Sequence, residues 1–173
     1  MGIQGLILKI RRKLSGKAKT AIRHNVSYDD SKKIGLLIYN PDPAFNQELN
    51  AYVKSLQNEG KTVECLCFNS KKNNYFYDFP CAYFTSKSLD WKGDFKEERI
   101  NKFIKTDFDY LYSINNLPFL PFKIILQKSK AKCRVGKYEK DLDLDIMIDP
   151  GKEQSLKALL EQMVIYSKKI KIE

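Results

Sequence analysis

A mainly parallel β-sheet with helices on both faces, preceded by a basic N-terminal helical arm, is the fold this sequence predicts. Two observations lead there. Short apolar runs alternate with segments whose apolar residues recur every three or four positions, so strands and helices are laid down in turn. The positive charge is also uneven: residues 1–26 hold seven basic side chains and no acidic one, which sets the leader apart from the rest. At 173 residues the chain suits one domain able to bury a core without staples.

The arm, residues 1–33, opens with Ile3, Leu6, Ile7, Ile10 and Leu14 at helical spacing. Gly16 interrupts that stripe, Ala18, Ala21 and Ile22 resume it weakly, and residues 27–31 read as a polar joint. The body, residues 34–173, begins with an apolar strand over 34–39. Asn40-Pro41-Asp42-Pro43 ends it, with Asp42 placed to cap the next helix and Pro43 in its first turn. Phe45, Leu49, Tyr52, Val53 and Leu56 form that helix's buried stripe, closed by Gly60. A second strand is expected over 62–68, a tyrosine-rich connection over 69–80 and a short third strand over 82–85.

Asp94 and Glu97 have capping-box spacing ahead of a helix burying Ile100, Phe103 and Ile104. Residues 109–114 are the fourth strand, and Asn116 with Pro118 is expected to launch a helix carrying Phe119, Phe122, Ile125 and Leu126. Residues 132–135 form the fifth strand. Leu142, Leu144, Ile146 and Ile148 alternate with polar neighbours as a half-exposed sixth strand should. Asp149 and Pro150 are expected to start a last helix with Leu156, Leu159, Leu160, Met163 and Val164 on its buried side. Right-handed crossovers between such strands give a Rossmann-like or flavodoxin-like layout.

Composition narrows the chemistry. The seven arm cations are Lys9, Arg11, Arg12, Lys13, Lys17, Lys19 and Arg23; the other 24 basic and 21 acidic residues nearly cancel. A localised positive segment points to an anionic partner. Cys65, Cys67, Cys81 and Cys133 form no C-x-x-C pair, and the one histidine, His24, lies far from them, so no zinc site is expected. Cys65 and Cys67 share a strand face and read as buried thiols in a reducing, cytoplasmic compartment. No apolar run reaches membrane-span length, and neither a signal peptide nor a myristoylation signal is recognisable.

In open α/β sheets ligands gather beyond the carboxyl ends of the strands. That position collects Asn40, Asp42, Asn69, Ser70, Lys71, Thr85, Ser86, Lys87, Asn115, Asn116, Gly136 and Lys137. The set has no histidine, no Gly-rich phosphate loop and no nucleophile beside a base, so ordinary loop and cap chemistry is expected there and no cofactor. Asp141, Asp143 and Asp145 read as a solvated sheet edge, with collecting Mg²⁺ or docking the chain's own basic arm as the other readings. Lys128, Lys130, Lys132 and Arg134 form a second basic cluster, either an anion contact or a solvated face. The aromatics Tyr75, Phe76, Tyr77, Phe79, Tyr83 and Phe84 are expected to roof the core; beside Lys71 and Lys72 their other reading is stacking on unpaired bases.

Residues 33–68 resemble the strand–helix–strand opening of the glycosyltransferases that transfer heptose to lipopolysaccharide. Phe108-Asp-Tyr-Leu-Tyr-Ser-Ile-Asn and Ser129-Lys-Ala-Lys-Cys-Arg-Val-Gly136 are similar to a second pattern of that family. Those enzymes have two Rossmann-like halves, and the resemblance spans the first, residues 33–148. It implies a half-domain acting with a partner, with Asp42 as the positional counterpart of the family's base. The family's Gly-Asp pair at that turn is here Asn-Pro-Asp-Pro, which favours a helix cap. The whole chain, arm included, more closely resembles a family of short bacterial proteins known only as a domain of unknown function, which implies shared architecture alone.

The leading expectation is a non-enzymatic accessory protein whose arm docks on RNA or a ribonucleoprotein. An anionic membrane surface, with the protein peripheral to the inner membrane, is the alternative partner. In a third arrangement the stripe packs on this domain or on a protein partner and exposes its lysines.

Overall fold

A computed structural model describes residues 26–39, 42–70, 77–116, 118–140, 142, 144–151 and 155–169. Its centre is a six-stranded sheet in the order β3-β2-β1-β4-β5-β6, every pair parallel. The strands are β1 (Lys33–Ile38), β2 (Thr62–Phe68), β3 (Ala82–Phe84), β4 (Tyr110–Ile114), β5 (Cys133–Lys137) and β6 (Ile146–Ile148). The helices are α1 (Asn46–Asn58), α2 (Glu98–Lys105), α3 (Leu120–Lys128) and α4 (Leu156–Lys169). This is the expected Rossmann-like arrangement.

The two-residue period of β1 divides the core. Ile34, Leu36 and Ile38 face α1 and α4, packing with Leu49, Val53, Leu159 and Met163. Leu37 faces the other way, into a core shared with Ile100, Phe103 and Ile104 of α2 and Phe122 and Ile125 of α3. A strand between two helix layers has no polar face, which is why β1 reads as an unbroken apolar run. Gly35 is part of that economy of space: a Cβ there would stand 2.9 Å from both Leu111 and Phe108.

Several ends fall elsewhere than the sequence suggests. Asp42 does cap the first helix, its carboxylate accepting from the Ala44 N–H at 2.9 Å, through a 3-10 turn over Pro43–Phe45. Asp94 does not cap the second. Residues 90–94 close into a turn on Asp90, which accepts from the Lys92 and Asp94 N–H groups, and α2 starts four residues later. Reciprocal capping appears instead at Thr85 and Ser88, whose hydroxyl also donates to Glu97 at 2.7 Å. Helix α3 starts at Leu120, not at Asn116, because Phe119 is extended ahead of a first turn that holds Pro121. Helix α4 starts at Leu156, not Asp149, since Gly151 turns away with φ 64° and Ser155 caps the Ala158 N–H.

The sixth strand is shortened to Ile146–Ile148, because Leu142 and Leu144 turn into the core beside α3. Asp145 is exposed beside the edge strand and in addition accepts from the backbone N–H and the Nε of Arg134, at 2.7 and 3.2 Å. Asp141 and Asp143 lie outside the described residues.

The cysteines also depart from expectation. Cys67 at the end of β2 is bonded to Cys81 just before β3, so it is not a thiol. The two strands are neighbours with Leu66 opposite Ala82, a juxtaposition that linear spacing does not reveal. Cys65 and Cys133 remain buried thiols, and burial pushes the Cys65 thiol up to about 12, with Glu64 adding to the effect.

The polar joint at 27–31 is packed into the body. Tyr28 is 3% exposed, and Lys61 is buried with its ammonium donating to Tyr28 O, Ser31 O and Ser31 Oγ at 2.9, 2.9 and 3.0 Å. Those three acceptors use all three ammonium protons. Asp109 completes the anchorage: its carboxylate accepts from the Lys32 and Lys33 N–H groups at 2.8 and 2.9 Å and from Lys132 Nζ at 2.8 Å. Burial pushes this carboxyl up, but the Lys132 bond and the two backbone donors outweigh it and hold it below its ordinary value.

Two outcomes follow. Thiol titration of the unreduced, denatured protein should count Cys65 and Cys133 only, and reduction should expose Cys67 and Cys81 as well. Asp109→Asn should cost about 1–3 kcal/mol in urea unfolding at neutral pH. Because the folded Asp109 carboxyl titrates below the unfolded one, its contribution is complete above about pH 4 and is lost as pH falls through the folded value. The difference between wild type and Asp109→Asn should therefore shrink in acid.

Candidate functional site

Strand order reverses between β1 and β4, and in this architecture a ligand crevice opens beyond the carboxyl ends there. In this protein aromatic rings cluster there. Tyr39 follows β1, Phe68 ends β2 and Phe119 precedes α3; their centroids lie 5.3 Å (Tyr39–Phe68), 5.4 Å (Tyr39–Phe119) and 4.4 Å (Phe68–Phe119) apart. Phe84 and Phe122 continue the cluster into the core. The Tyr39 N–H donates to Ile114 O at 3.0 Å, drawing the chain after β1 onto the end of β4.

Beside this plug, between the ends of β4 and β5, a pocket of about 100 Å³ remains. Ser113, Asn115 and Asn116 line one side, Lys123 of α3 another, and Gly136, Lys137 and Glu139 the third. Several of its polar groups meet one another. Ser113 Oγ donates to Asn115 Oδ1 at 2.7 Å, Lys137 Nζ donates to Asn116 O at 3.1 Å, and Lys123 is ion-paired with Glu139. Gly136 lets Leu144 close the floor, since a Cβ there would meet Leu144 at 2.9 Å and Ser113 at 3.3 Å. Small-molecule sites commonly enclose about 300 Å³ or more, so this pocket has room for a few atoms and none for a nucleotide.

Of the crevice residues named from the sequence, Asn115, Asn116, Gly136 and Lys137 are brought together here. Asp42 is exposed and engaged as a cap at the first helix. Thr85 and Ser86 form the capped turn after β3, with Lys87. Asn40 and Lys71 lie outside the described residues. Tyr77, Phe79, Tyr83 and Phe84 pack on the core as expected, Phe79 stacking on Tyr77 at 5.0 Å; Tyr75, Phe76 and Lys72 lie outside the described residues.

The second basic cluster is dispersed among partners. Lys128 Nζ donates to Asp94 Oδ1 and Gly93 O at 2.7 and 2.9 Å. Lys132 pairs with Asp109, a bond that holds the ammonium above its ordinary value. Arg134 is 2% exposed, held by Asp145 and by Leu126 O at 3.3 Å. Lys130 is exposed. Lys9, Arg11, Arg12, Lys13, Lys17, Lys19, Arg23 and His24 lie outside the described residues.

Sequence reasoning missed Lys61, Tyr28 and the aromatic plug. Lys61 follows a helix-ending glycine and reads as a surface lysine, and nothing local marks its burial. Each ring of the plug reads as an ordinary core or loop residue until strand order places them together. Among the described residues no group of His, Cys, Asp and Glu stands together as a metal site, and no helix is long and apolar enough to cross a membrane.

No curated protein and no solved structure matches this sequence. A family model does, over residues 6–170, a span that takes in all seven arm cations as well as the sheet and its four helices. The chain belongs to the family of unknown function DUF6913.

Proposed function

We propose that this protein is a non-enzymatic accessory protein: its α/β body is a scaffold, and its basic arm docks on an anionic partner, RNA or a ribonucleoprotein first. The observation that carries this reading is the partition of positive charge. Seven cations without one carboxylate occupy residues 1–26. In the body, by contrast, Lys128, Lys132 and Arg134 are each matched to an aspartate. Unopposed cations close together gain affinity by displacing the counterions condensed on a phosphate backbone, with no need for base-specific contacts. The aromatic plug and the small pocket beside it support a scaffold over a catalyst.

The alternative, an anionic membrane surface, is favoured by one feature: the Ile3, Leu6, Ile7, Ile10 and Leu14 stripe beside the cations. A half-domain relative of glycosyltransferases acting with a partner is a third reading, supported by the segment similarities over residues 33–148 and by no site geometry.

The test uses full-length protein and a mixed-sequence single-stranded RNA. The wild type should bind with a log–log salt slope as steep as about −5 if all seven cations reach phosphates. Replacing all seven with Gln should flatten that slope and weaken binding by about 100-fold or more at low salt. Binding to anionic vesicles without RNA binding, abolished by Ile7→Asp, would replace the nucleic-acid reading with the membrane one.

A further inference from the structure

The face of the body built by α1 and α4 carries an open groove of about 450 Å³. Tyr52 of α1 and Leu160, Val164 and Ile165 of α4 make it apolar, and Ile165 is 48% exposed. Glu48 and Glu161 stand in it against a single amine, Lys157. Oε2 of Glu48 is buried and has no hydrogen-bond partner among the described residues. The groove thus offers a strip of apolar surface and a buried carboxylate oxygen.

The place where the chain enters the body identifies an occupant. Val26 O accepts from the Tyr110 hydroxyl at 2.8 Å. Two residues later, the Tyr28 hydroxyl donates to Glu59, just beyond α1, at 3.2 Å, and Lys168 of α4 lies 5.2 Å from the Tyr28 ring. The start of the described chain therefore lies at the carboxyl-terminal end of the α1/α4 seam. The groove lies farther along the same two helices, about 5–16 Å away at a rise of about 1.5 Å per residue. The twelve residues from Leu14 to Val26 can span up to about 40 Å, so the stripe reaches it with slack.

We infer that this groove is the seat of the chain's own N-terminal stripe, with Ile3, Leu6, Ile7, Ile10 and Leu14 against the apolar wall and an arm cation against Glu48. Three features match: an apolar stripe meets an apolar groove, a basic segment meets two carboxylates, and the tether ends beside the seat. Seated in this way, the stripe leaves most of the arm's cations facing outward. The inference uses the apolar face of the arm and does not rest on what the basic face binds.

Limited trypsin digestion of the full-length protein, without RNA or lipid, tests it at Arg11, Arg12 and Lys13. Cleavage there should be about tenfold slower in the wild type than in Ile165→Glu, since a seated segment must open before it is cut. Ile7→Glu, which leaves the body untouched, should match Ile165→Glu, so the test survives a folding defect in the groove variant. Glu48→Gln should fall between them. Equal cleavage of all four proteins would overturn the inference. Protection that disappears on dilution would overturn it too, by making a second copy the occupant. Because these variants keep all seven arm cations, loss of docking is read separately from loss of anion binding.

Discussion

A buried ammonium and a buried carboxylate fix the start of the folded body. Lys61 holds the carbonyls of Tyr28 and Ser31, and Asp109 holds the N–H groups of Lys32 and Lys33. Together they satisfy the polar backbone of a segment that would otherwise be buried beside the amino ends of the strands with no ladder to join. Each charge is tolerable because it is fully engaged: Lys61 by three oxygens and the Tyr28 ring 4.5 Å away, Asp109 by two N–H groups and Lys132. Loss of Lys132 would leave the Asp109 carboxylate with its two N–H donors alone, and loss of Lys61 would strip the Tyr28 and Ser31 carbonyls of their donor. This anchorage fixes where Val26 sits, its carbonyl accepting from the Tyr110 hydroxyl.

The same economy explains why a ligand-binding architecture has so little room for a ligand. A parallel sheet leaves a crevice where strand order reverses, and something must fill it. Here Tyr39, Phe68 and Phe119 do so, edge and face, at the separations aromatic pairs prefer. The polar residues beside them pair with one another across the small pocket. Ser113 donates to Asn115, Lys137 to Asn116 O, and Lys123 pairs with Glu139. The fold alone says nothing about activity.

The layer structure was legible in the sequence because it rests on periodicity, which is local. Ile34, Leu36 and Ile38 against Leu37, and Leu49, Val53 and Leu56 along α1, announce their faces unaided. Helix starts were less legible, since Asp94 and Asp149 have the right chemistry at positions where a preceding turn on Asp90 or a following one at Gly151 decides the matter. The long-range features were not legible at all. The Cys67–Cys81 bond, the Asp145–Arg134 pair and the buried Lys61 depend on which strands become neighbours. For the crevice, sequence placed Asn115 and Asn116 correctly at the end of β4 but could not see the rings that displace a ligand.

An amphipathic leader poses a physical problem that its charges alone do not solve. An apolar stripe left in water favours any apolar surface it meets, including another copy of the same chain. Cations beside it limit that by repulsion, but they also draw the segment to anions and so bring stripes together there. Burial of the stripe on the parent body removes the conflict, because the apolar face is satisfied while the charged face stays in solvent. The α1/α4 face has the composition for this, and the Tyr28–Glu59 and Lys168 contacts put the tether at its end.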